Sequence, residues 1–323
     1  MQVLITGGTG FLGLTLAERL AGQGVRTVLL GLSPPPPGAI ARLATLPGPV
    51  VPLPGDIRDE ARLGSLLRDY GITHIVHMAA ISAGPERERH DAREILDVSV
   101  LGALAVLTAA QRHLVRRVVL VSSASVFGAL AYGSTPLRED GFLRPDTLSA
   151  IGKAAQEAML ERLAQLSGLD AVTARLSDLF GPLEYDTGHR DALSAPWQCW
   201  AAARAGKPIL LPRPGLNDWL YAPDAAVALE TLLAAPRLAH RLYHVAPGVR
   251  WSLADWCARL AQAFPGLTWD LTADPAAETI RLPLLADRAP LDARRLTQET
   301  GFRPAFDLEA AAEDFLARVS VGG

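Results

Sequence analysis

MQVLITGGTGFLG, residues 1–13, is the stretch of this sequence that decides its fold. An apolar run of strand type enters a glycine-rich turn, and an apolar pattern of helical period follows. Gly7, Gly10 and Gly13 are spaced three apart. The first glycine permits a tight turn, the second lets the backbone approach a ligand, and the third lets the helix pack on the strand. Because free N–H groups at a helix start bind phosphate, we predict a dinucleotide pyrophosphate here, bound by Gly7, Thr9, Gly10, Phe11, Leu12 and Gly13.

The composition argues against several classes of protein. The chain has 323 residues, 49% of them hydrophobic, and its 31 basic and 34 acidic side chains leave a net charge of −3. No basic run could follow a nucleic-acid backbone, so we expect no nucleic-acid partner. The two cysteines, Cys199 and Cys257, lack metal-ligand spacing, which predicts no metal site and fits a reducing compartment. We therefore expect a cytoplasmic protein without a leader or a membrane span.

Short apolar strands alternate with helical patterns through the first half of the chain. Strands are predicted over 2–6, 25–30, 49–53, 72–78, 117–122 and 170–176, and helices over 11–22, 59–70, 90–113 and 149–167. This order predicts an α/β fold with a doubly wound, parallel, Rossmann-type sheet. The alternation stops near residue 177. We predict a dinucleotide-binding domain over 1–176 and a smaller C-terminal α/β substrate-binding lobe over 177–323, either separate from the sheet or interleaved with it, with helices near 222–235, 252–264 and 307–318.

Ligands of such sheets bind at the carboxyl ends of the strands. The second strand ends at Gly31, where an NAD site usually has an acidic residue for the adenosine ribose. Its absence favours NADP, but Arg42 is the nearest basic residue downstream, so NAD or NADP both stay open. After the third strand, Asp56 and Ile57 are candidates to contact adenine, although Asp56 or Asp59 could instead cap the next helix.

Small residues and hydroxyls mark the next two strand ends. Ala79 and Ala80 follow the fourth strand and would let a cofactor lie across it. Ser122, Ser123 and Ser125 follow the fifth strand, beside the predicted nicotinamide. A hydroxyl in this place can bind a substrate oxygen whose charge changes during reaction.

Taken together, these stretches resemble the extended short-chain dehydrogenase/reductases, the family of nucleotide-sugar epimerases and dehydratases. The resemblance rests on TGGTGFLG at 6–13, GDIRD at 55–59, HMAA at 77–80, SSASVFG at 122–128, RLSDLFGP at 175–182, DWLYAPD at 218–224 and the segment 291–304. It implies NAD(P)-dependent oxidation, reduction or epimerisation at a hydroxyl or carbonyl carbon of a sugar-like or other small polar substrate. It also implies a homodimer built on two long helices, whose apolar faces here are Ala103, Val106, Leu107 and Ala110 on one and Ala154, Ala158 and Leu160 on the other.

The family's proton relay uses a Tyr and a Lys four residues apart on one helix, helped by a Ser or Thr from the fifth strand. Lys153 matches the Lys, which binds the nicotinamide ribose, and Ser123 matches the Ser or Thr. The Tyr position holds Ser149 instead. Ser99 is a second departure, since an Asn is usual there. By its position Ser149 is a catalytic candidate beside Ser123 and Lys153, but an aliphatic hydroxyl is far less acidic than a phenol, so Ser149 is a poor general base.

Three explanations of Ser149 stay open. Another group could serve as acid and base, with Tyr132, Tyr185, His189 and the serines as candidates. The chain could instead bind a dinucleotide and have a non-redox activity, such as that of a lyase or cyclase, or a regulatory function. Ser149 could also be an engineered substitution. For the substrate side, the candidates lie at the strand ends and in the polar loop after the sixth strand: Ser82, Ser125, Asp178, Tyr185, His189, Arg213 and Asn217.

Overall fold

The computed structural model describes residues 1–282 and 286–320. The strands are β1 (Gln2–Thr6), β2 (Arg26–Gly31), β3 (Val50–Pro54), β4 (His74–His77), β5 (Arg117–Ser123), β6 (Ala171–Leu176), β7 (Leu179–Phe180), β8 (Ile209–Leu211), β9 (Leu220–Tyr221), β10 (Leu242–Val245) and β11 (Trp269–Leu271). Seven of them form one sheet in the order β10-β6-β5-β4-β1-β2-β3, and every described pairing in it is parallel. The pairs β7–β9 and β8–β11 are separate. The predicted doubly wound α/β fold is thus confirmed, and its strand order reverses between β1 and β4, where such folds open a ligand crevice.

Helices cover both faces of this sheet. They are α1 (Phe11–Gly22), α2 (Pro37–Leu43), α3 (Glu60–Asp69), α4 (Pro85–Leu96), α5 (Gly102–Arg112), α6 (Leu148–Ser167), α7 (Ala195–Arg204), α8 (Ala222–Ala234), α9 (Leu253–Ala263), α10 (Arg294–Thr300) and α11 (Leu308–Ser320). A π-helical turn at Asp97–Leu101 joins α4 to α5, and a 3₁₀ segment, Ala124–Leu130, follows β5. The joined helix, Pro85–Arg112, is long and apolar enough to cross a membrane. However, 56% of its apolar 18-residue segment is buried within the fold, as in a core helix.

The C-terminal part of the chain completes the N-terminal sheet. Strand β10 pairs with β6, from Leu242 opposite Thr173 to Val245 opposite Leu176. Helix α8 shares a buried apolar cluster with α1, and Tyr243 and Val245 of β10 belong to the same cluster. The range 177–323 therefore contributes a strand and a helix to the part predicted over 1–176.

The remaining lobe has its own aromatic core. Phe180 lies at its centre, with ring centroids 5.4 Å from those of both Trp251 and Trp256 and 6.4 Å from that of Phe315. Because Phe180 follows β6 by only a few residues, this core fixes the lobe at the carboxyl end of the sheet.

Two sequence expectations differ from the structure. Four consecutive prolines at 34–37 are typical of a stiff surface loop, but Pro37 begins α2, since proline at the first helical position gives up no hydrogen bond. The apolar faces expected at a dimer interface mostly belong to the chain's own core. Ala103, Val106, Leu107, Ala110 and Leu160 are all buried within one chain.

Candidate functional site

The glycine turn is shaped as a cradle for a phosphate group. Gly7 has φ +67°, and a Cβ there would lie 2.8 Å from the backbone of Ala79. A Cβ on Gly13 would lie 2.6 Å from Gly8. Gly10 is the N-cap of α1 and supplies no side-chain acceptor. The first N–H groups of α1 are thus left for a ligand, so the turn fits the diphosphate of a dinucleotide.

At the end of β2, the Thr9 hydroxyl lies beside Gly31, the position where an NAD site usually has an acidic residue. The Thr9 hydroxyl oxygen lies 2.2 Å from the position that a Cβ on Gly31 would occupy. Thr9 is itself buried. Its side chain therefore fills the space that a side chain at position 31 would need. Arg42, the nearest basic residue considered for a 2′-phosphate, is paired with Glu18 on α1 at 2.6 Å.

The two readings of the segment after β3 are compatible. Asp59 caps α3 by accepting from the Arg62 backbone N–H at 2.9 Å. Asp56 is left at the crevice end, where a hydrogen bond from Arg58 lowers the pKa of its carboxyl. The predicted packing of the Ile57 side chain on adenine is not favoured, because this side chain is only 5% exposed and lies in the core.

Lys153 is hydrogen-bonded to β5, the strand that ends at Ser123. The Lys153 ammonium donates to the Val121 carbonyl at 2.7 Å and to the Gln156 side chain at 3.4 Å. Burial lowers the pKa of Lys153 to about 8, against the opposing attraction of a nearby carboxylate. Ser123 accepts from the Ser125 N–H at 3.1 Å, which leaves its own proton to donate. Both predicted residues therefore lie at the carboxyl end of β5.

Ser149 is held by the loop that follows β4. Its hydroxyl donates to the Ile81 carbonyl at 2.8 Å and accepts from the Ala83 N–H at 3.1 Å. A serine hydroxyl has one proton, and here a backbone carbonyl takes it. Ser149 therefore joins α6 to this loop, and the expectation that it acts in catalysis is not supported by this geometry.

The three other acid–base candidates lie elsewhere. The Tyr185 hydroxyl donates to the Thr9 carbonyl at 2.5 Å, and burial raises its pKa. The His189 carbonyl accepts from the Ser82 N–H at 2.9 Å. Tyr132 is 41% exposed and lines a surface cleft with Phe127 and Phe142. Over residues 1–282 and 286–320, none of the three is hydrogen-bonded to Ser123 or Lys153.

A buried polar network that sequence reasoning missed lies behind Lys153. The Glu157 carboxylate accepts from Ser122 at 2.5 Å and from two guanidinium nitrogens of Arg175, the closer at 2.6 Å. Arg175 also lies 3.0 Å from a ring nitrogen of His244. Burial lowers the pKa of His244 to about 3, which keeps this ring neutral. The network connects α6 to β5, β6 and β10.

Two of the predicted substrate residues meet after β6. The Asn217 amide donates to the Asp178 carboxylate, and its carbonyl oxygen accepts from Arg288 at 3.2 Å. Arg288 also pairs with Asp218 at 2.5 Å, while burial raises the pKa of Asp218 to about 6. Arg213 lies beside them, paired with Asp287 at 2.9 Å. No period or motif in the sequence pointed to Arg288, because its partners are about 70 residues away.

Comparison with known proteins agrees with this geometry. The sequence model of the NAD dependent epimerase/dehydratase family matches residues 3–246. The dTDP-glucose 4,6-dehydratase of Streptomyces antibioticus is 26% identical, over 95% of this chain and 89% of its own. The UDP-glucose 4-epimerase of Neisseria gonorrhoeae is 34% identical over 50% of this chain and 47% of its own.

Solved structures show the same fold. A UDP-glucose 4-epimerase from Stenotrophomonas maltophila, solved with bound NAD and formylated UDP-arabinopyranose, matches with a TM-score of 0.84 at 22% identity, over 99% of this chain and 98% of its own. The UDP-glucose 4-epimerase of Thermotoga maritima matches with a TM-score of 0.83 at 18% identity, over 99% of both chains. The family match confirms the family and the cofactor class expected from the sequence: the chain belongs to the NAD-dependent epimerase/dehydratase family.

Proposed function

We propose that this protein is an NAD-dependent enzyme that oxidises, reduces or epimerises a hydroxyl-bearing carbon of a sugar nucleotide, with Lys153 as its proton-exchanging group. The observation that carries the proposal is the Lys153 amine, which lies at the end of β5 with a pKa lowered to about 8. Ser149 makes both of its hydrogen bonds to backbone. The matching dehydratases and epimerases bear names of nucleotide-sugar enzymes, which supports this substrate class.

NAD is the cofactor that the ribose end of the crevice favours. A 2′-phosphate would need a nearby cation, and Arg42 is already paired with Glu18. The Thr9 hydroxyl beside Gly31 is a neutral group that suits ribose hydroxyls. The matched family is described as NAD dependent, which agrees with this assignment.

Each residue then has a defined task. When bound, NAD supplies the site that accepts or returns a hydride. The glycine turn holds the diphosphate, and Ser123 donates a hydrogen bond to the substrate oxygen. The Lys153 amine, once neutral, takes the proton from the substrate hydroxyl, so a lowered pKa is what makes it effective near neutral pH.

The pH dependence of turnover tests this role. With UDP-glucose or dTDP-glucose as substrate, we expect the rate of hydroxyl oxidation to rise with pH and level off above about pH 8, the pKa of Lys153. Lys153→Arg keeps the positive charge but cannot lose its proton in this range. This variant should bind NAD, measured by calorimetry, yet lose the inflection and most of the turnover. An unchanged inflection in the variant would refute the assignment.

A second candidate function rests on Ser149. Because its hydroxyl is committed to Ile81 and Ala83, the family's usual relay is missing, which also suits a dinucleotide-binding protein with lyase, cyclase or regulatory activity. This alternative predicts NAD binding without reduction of the nicotinamide by any nucleotide sugar. It also predicts that Ser149→Tyr creates a redox activity that the parent lacks. Redox turnover by the parent protein would exclude it.

We also infer a homodimer in a reducing compartment such as the cytoplasm. Leu104 and Ile151 are 36% and 43% exposed on neighbouring helices α5 and α6, and Leu101 beside them is 54% exposed. Cys199 and Cys257 are free and buried, which supports the reducing compartment. Sedimentation should give a dimer mass for the parent and a monomer mass for Leu104→Glu. A monomeric parent would refute the inferred homodimer.

A further inference from the structure

The loop after β7 crosses the crevice between β1 and β4. On the β1 side, the Tyr185 hydroxyl donates to the Thr9 carbonyl of the glycine turn at 2.5 Å. Further along the loop, the guanidinium carbon of Arg190 lies 5.3 Å from the centroid of the Phe11 ring. Phe11 is the first residue of α1. The loop thus contacts the cradle at two points.

The same loop is fastened to the segment after β4. The Ser82 N–H donates to the His189 carbonyl at 2.9 Å, and its carbonyl accepts from the Asp191 N–H at 3.1 Å. The Asp191 carboxylate accepts from the Gly84 N–H at 2.7 Å, and Arg87 donates to the Gly188 carbonyl at 2.9 Å. We call residues 184–191 the strap, since they connect the two sides of the crevice.

The strap carries a cation with unused donors. One terminal nitrogen of Arg190 donates to the Glu184 carboxylate at 2.7 Å. Glu184 is held in place, because it is buried and also accepts hydrogen bonds from the Ser194 backbone N–H and hydroxyl. The Arg190 side chain is 28% exposed. In the described part of the chain, its other two guanidinium nitrogens donate to no protein atom.

A guanidinium close to the start of a helix is stabilised further when an anion lies between the two. The start of a helix carries a partial positive charge, which repels a guanidinium and attracts a phosphate. Glu184 pairs with Arg190 through one terminal nitrogen, and its two oxygens also accept from Ser194, so the other two guanidinium nitrogens are left to donate to a phosphate. A diphosphate on the cradle would accept from both α1 and Arg190, and arginine is the side chain best suited to phosphate oxygens.

We propose that Arg190 is a second anchor for the cofactor diphosphate, positioned over the glycine turn by the strap. This inference deepens the proposed function and rests on its NAD site. It assigns to the strap a binding role in addition to that of the turn. It also places a charged group of the second lobe on the cofactor, so the lobe and the sheet hold the dinucleotide together.

ADP-ribose and adenosine are the probes that test the proposal, since only the first contains the diphosphate. Affinities are measured by calorimetry for the parent, Arg190→Met and Arg190→Lys. A charge-assisted hydrogen bond is among the strong ones, so we expect Arg190→Met to lose about tenfold or more in ADP-ribose affinity. Adenosine affinity should not change, and Arg190→Lys should recover part of the loss. Thermal unfolding without ligand shows whether each variant is folded.

Arg87→Met is the matched control, because it removes a cation that fastens the strap on the β4 side but does not contact the turn. It should weaken ADP-ribose binding less than Arg190→Met does. Equal losses in these two variants, or an equal loss of adenosine affinity, would overturn the proposal. So would a folded Arg190→Met that binds ADP-ribose as well as the parent. If the parent itself binds neither ADP-ribose nor NAD, the proposed function fails, and this inference fails with it.

Discussion

Replacing Ser149 with alanine is expected to lower the stability of the protein and to leave its turnover intact. The substitution removes an oxygen that donates to the Ile81 carbonyl at 2.8 Å and accepts from the Ala83 N–H at 3.1 Å. Both partners are backbone groups of the loop after β4, and the contact is partly buried. The loop would therefore lose its direct attachment to α6, whereas Lys153 and Ser123 would stay in place.

The size of the effect follows from these two bonds. Each contributes about 0.5–1.5 kcal/mol to stability, so the loss should be about 1–3 kcal/mol. Unfolding entropies of about 2 cal/mol/K per residue imply roughly 0.7 kcal/mol/K for 323 residues. A loss of 2 kcal/mol then lowers Tm by about 3 °C. Circular dichroism on heating measures this shift, and turnover is measured on the same samples.

Ser125→Ala is the matched control, since Ser125 is an exposed serine whose hydroxyl has no described partner. Its Tm should stay close to that of the parent. The reasoning would be refuted if Ser149→Ala left Tm unchanged and reduced turnover by about a hundredfold or more, the size expected for a lost general acid or base. Ser149 would then be a catalytic group, and Lys153 would lose the role assigned to it.

Two further predictions concern buried groups near the cofactor site. Gly31→Ala should destabilise the protein by about 1–3 kcal/mol through overpacking against Thr9. In a double-mutant cycle measured by urea unfolding, adding Thr9→Ala should recover much of this loss. Strictly additive effects of the two substitutions would contradict the clash. Burial, with a smaller effect of Lys153, lowers the pKa of His77 to about 3. Below about pH 6.5 the unfolded chain therefore binds a proton that the folded chain does not, and the free energy of unfolding decreases as the pH is lowered. Between pH 7 and pH 5 the parent should lose about 2 kcal/mol more than His77→Gln, and parallel curves would show that this ring is not kept neutral.

Much of the fold could be predicted because its signals are local. The apolar strand, glycine turn and helical period at the N-terminus placed α1 at its observed bounds, 11–22. The other strands of the predicted set were found within two residues of their observed ends. The long crossover helix was predicted from 90, but it begins at Pro85 and contains a π turn around Ser99. That turn accompanies a close approach, since a Cβ on Gly152 would lie 2.7 Å from Ser99, and tertiary contacts of this kind leave no periodic pattern.

The candidate site could be predicted only where a motif carried it. The glycine turn follows β1, Ser123 ends β5, and Lys153 is hydrogen-bonded to β5, so a strand end fixes the place of each motif. The contacts of the other candidate residues could not be predicted, because their partners are distant in the sequence. Ser149 binds a loop 66 residues away, and Tyr185 binds a carbonyl 176 residues away. Arg190 belongs to no motif, so its position on Phe11 became evident only from the three-dimensional arrangement.

Strand β10, the edge strand of the seven-stranded sheet, also affects how the protein folds during synthesis. During synthesis, β6 leaves the ribosome about 65 residues before β10, its partner at the sheet edge. Until β10 arrives, the outer edge of β6 is unpaired, and Arg175 lacks its contact with His244. Nascent chains that stop near residue 176 should therefore remain exposed to proteases and chaperones. The dinucleotide-binding half gains its protection only when most of the second half has been translated, so the two halves mature as one cooperative unit.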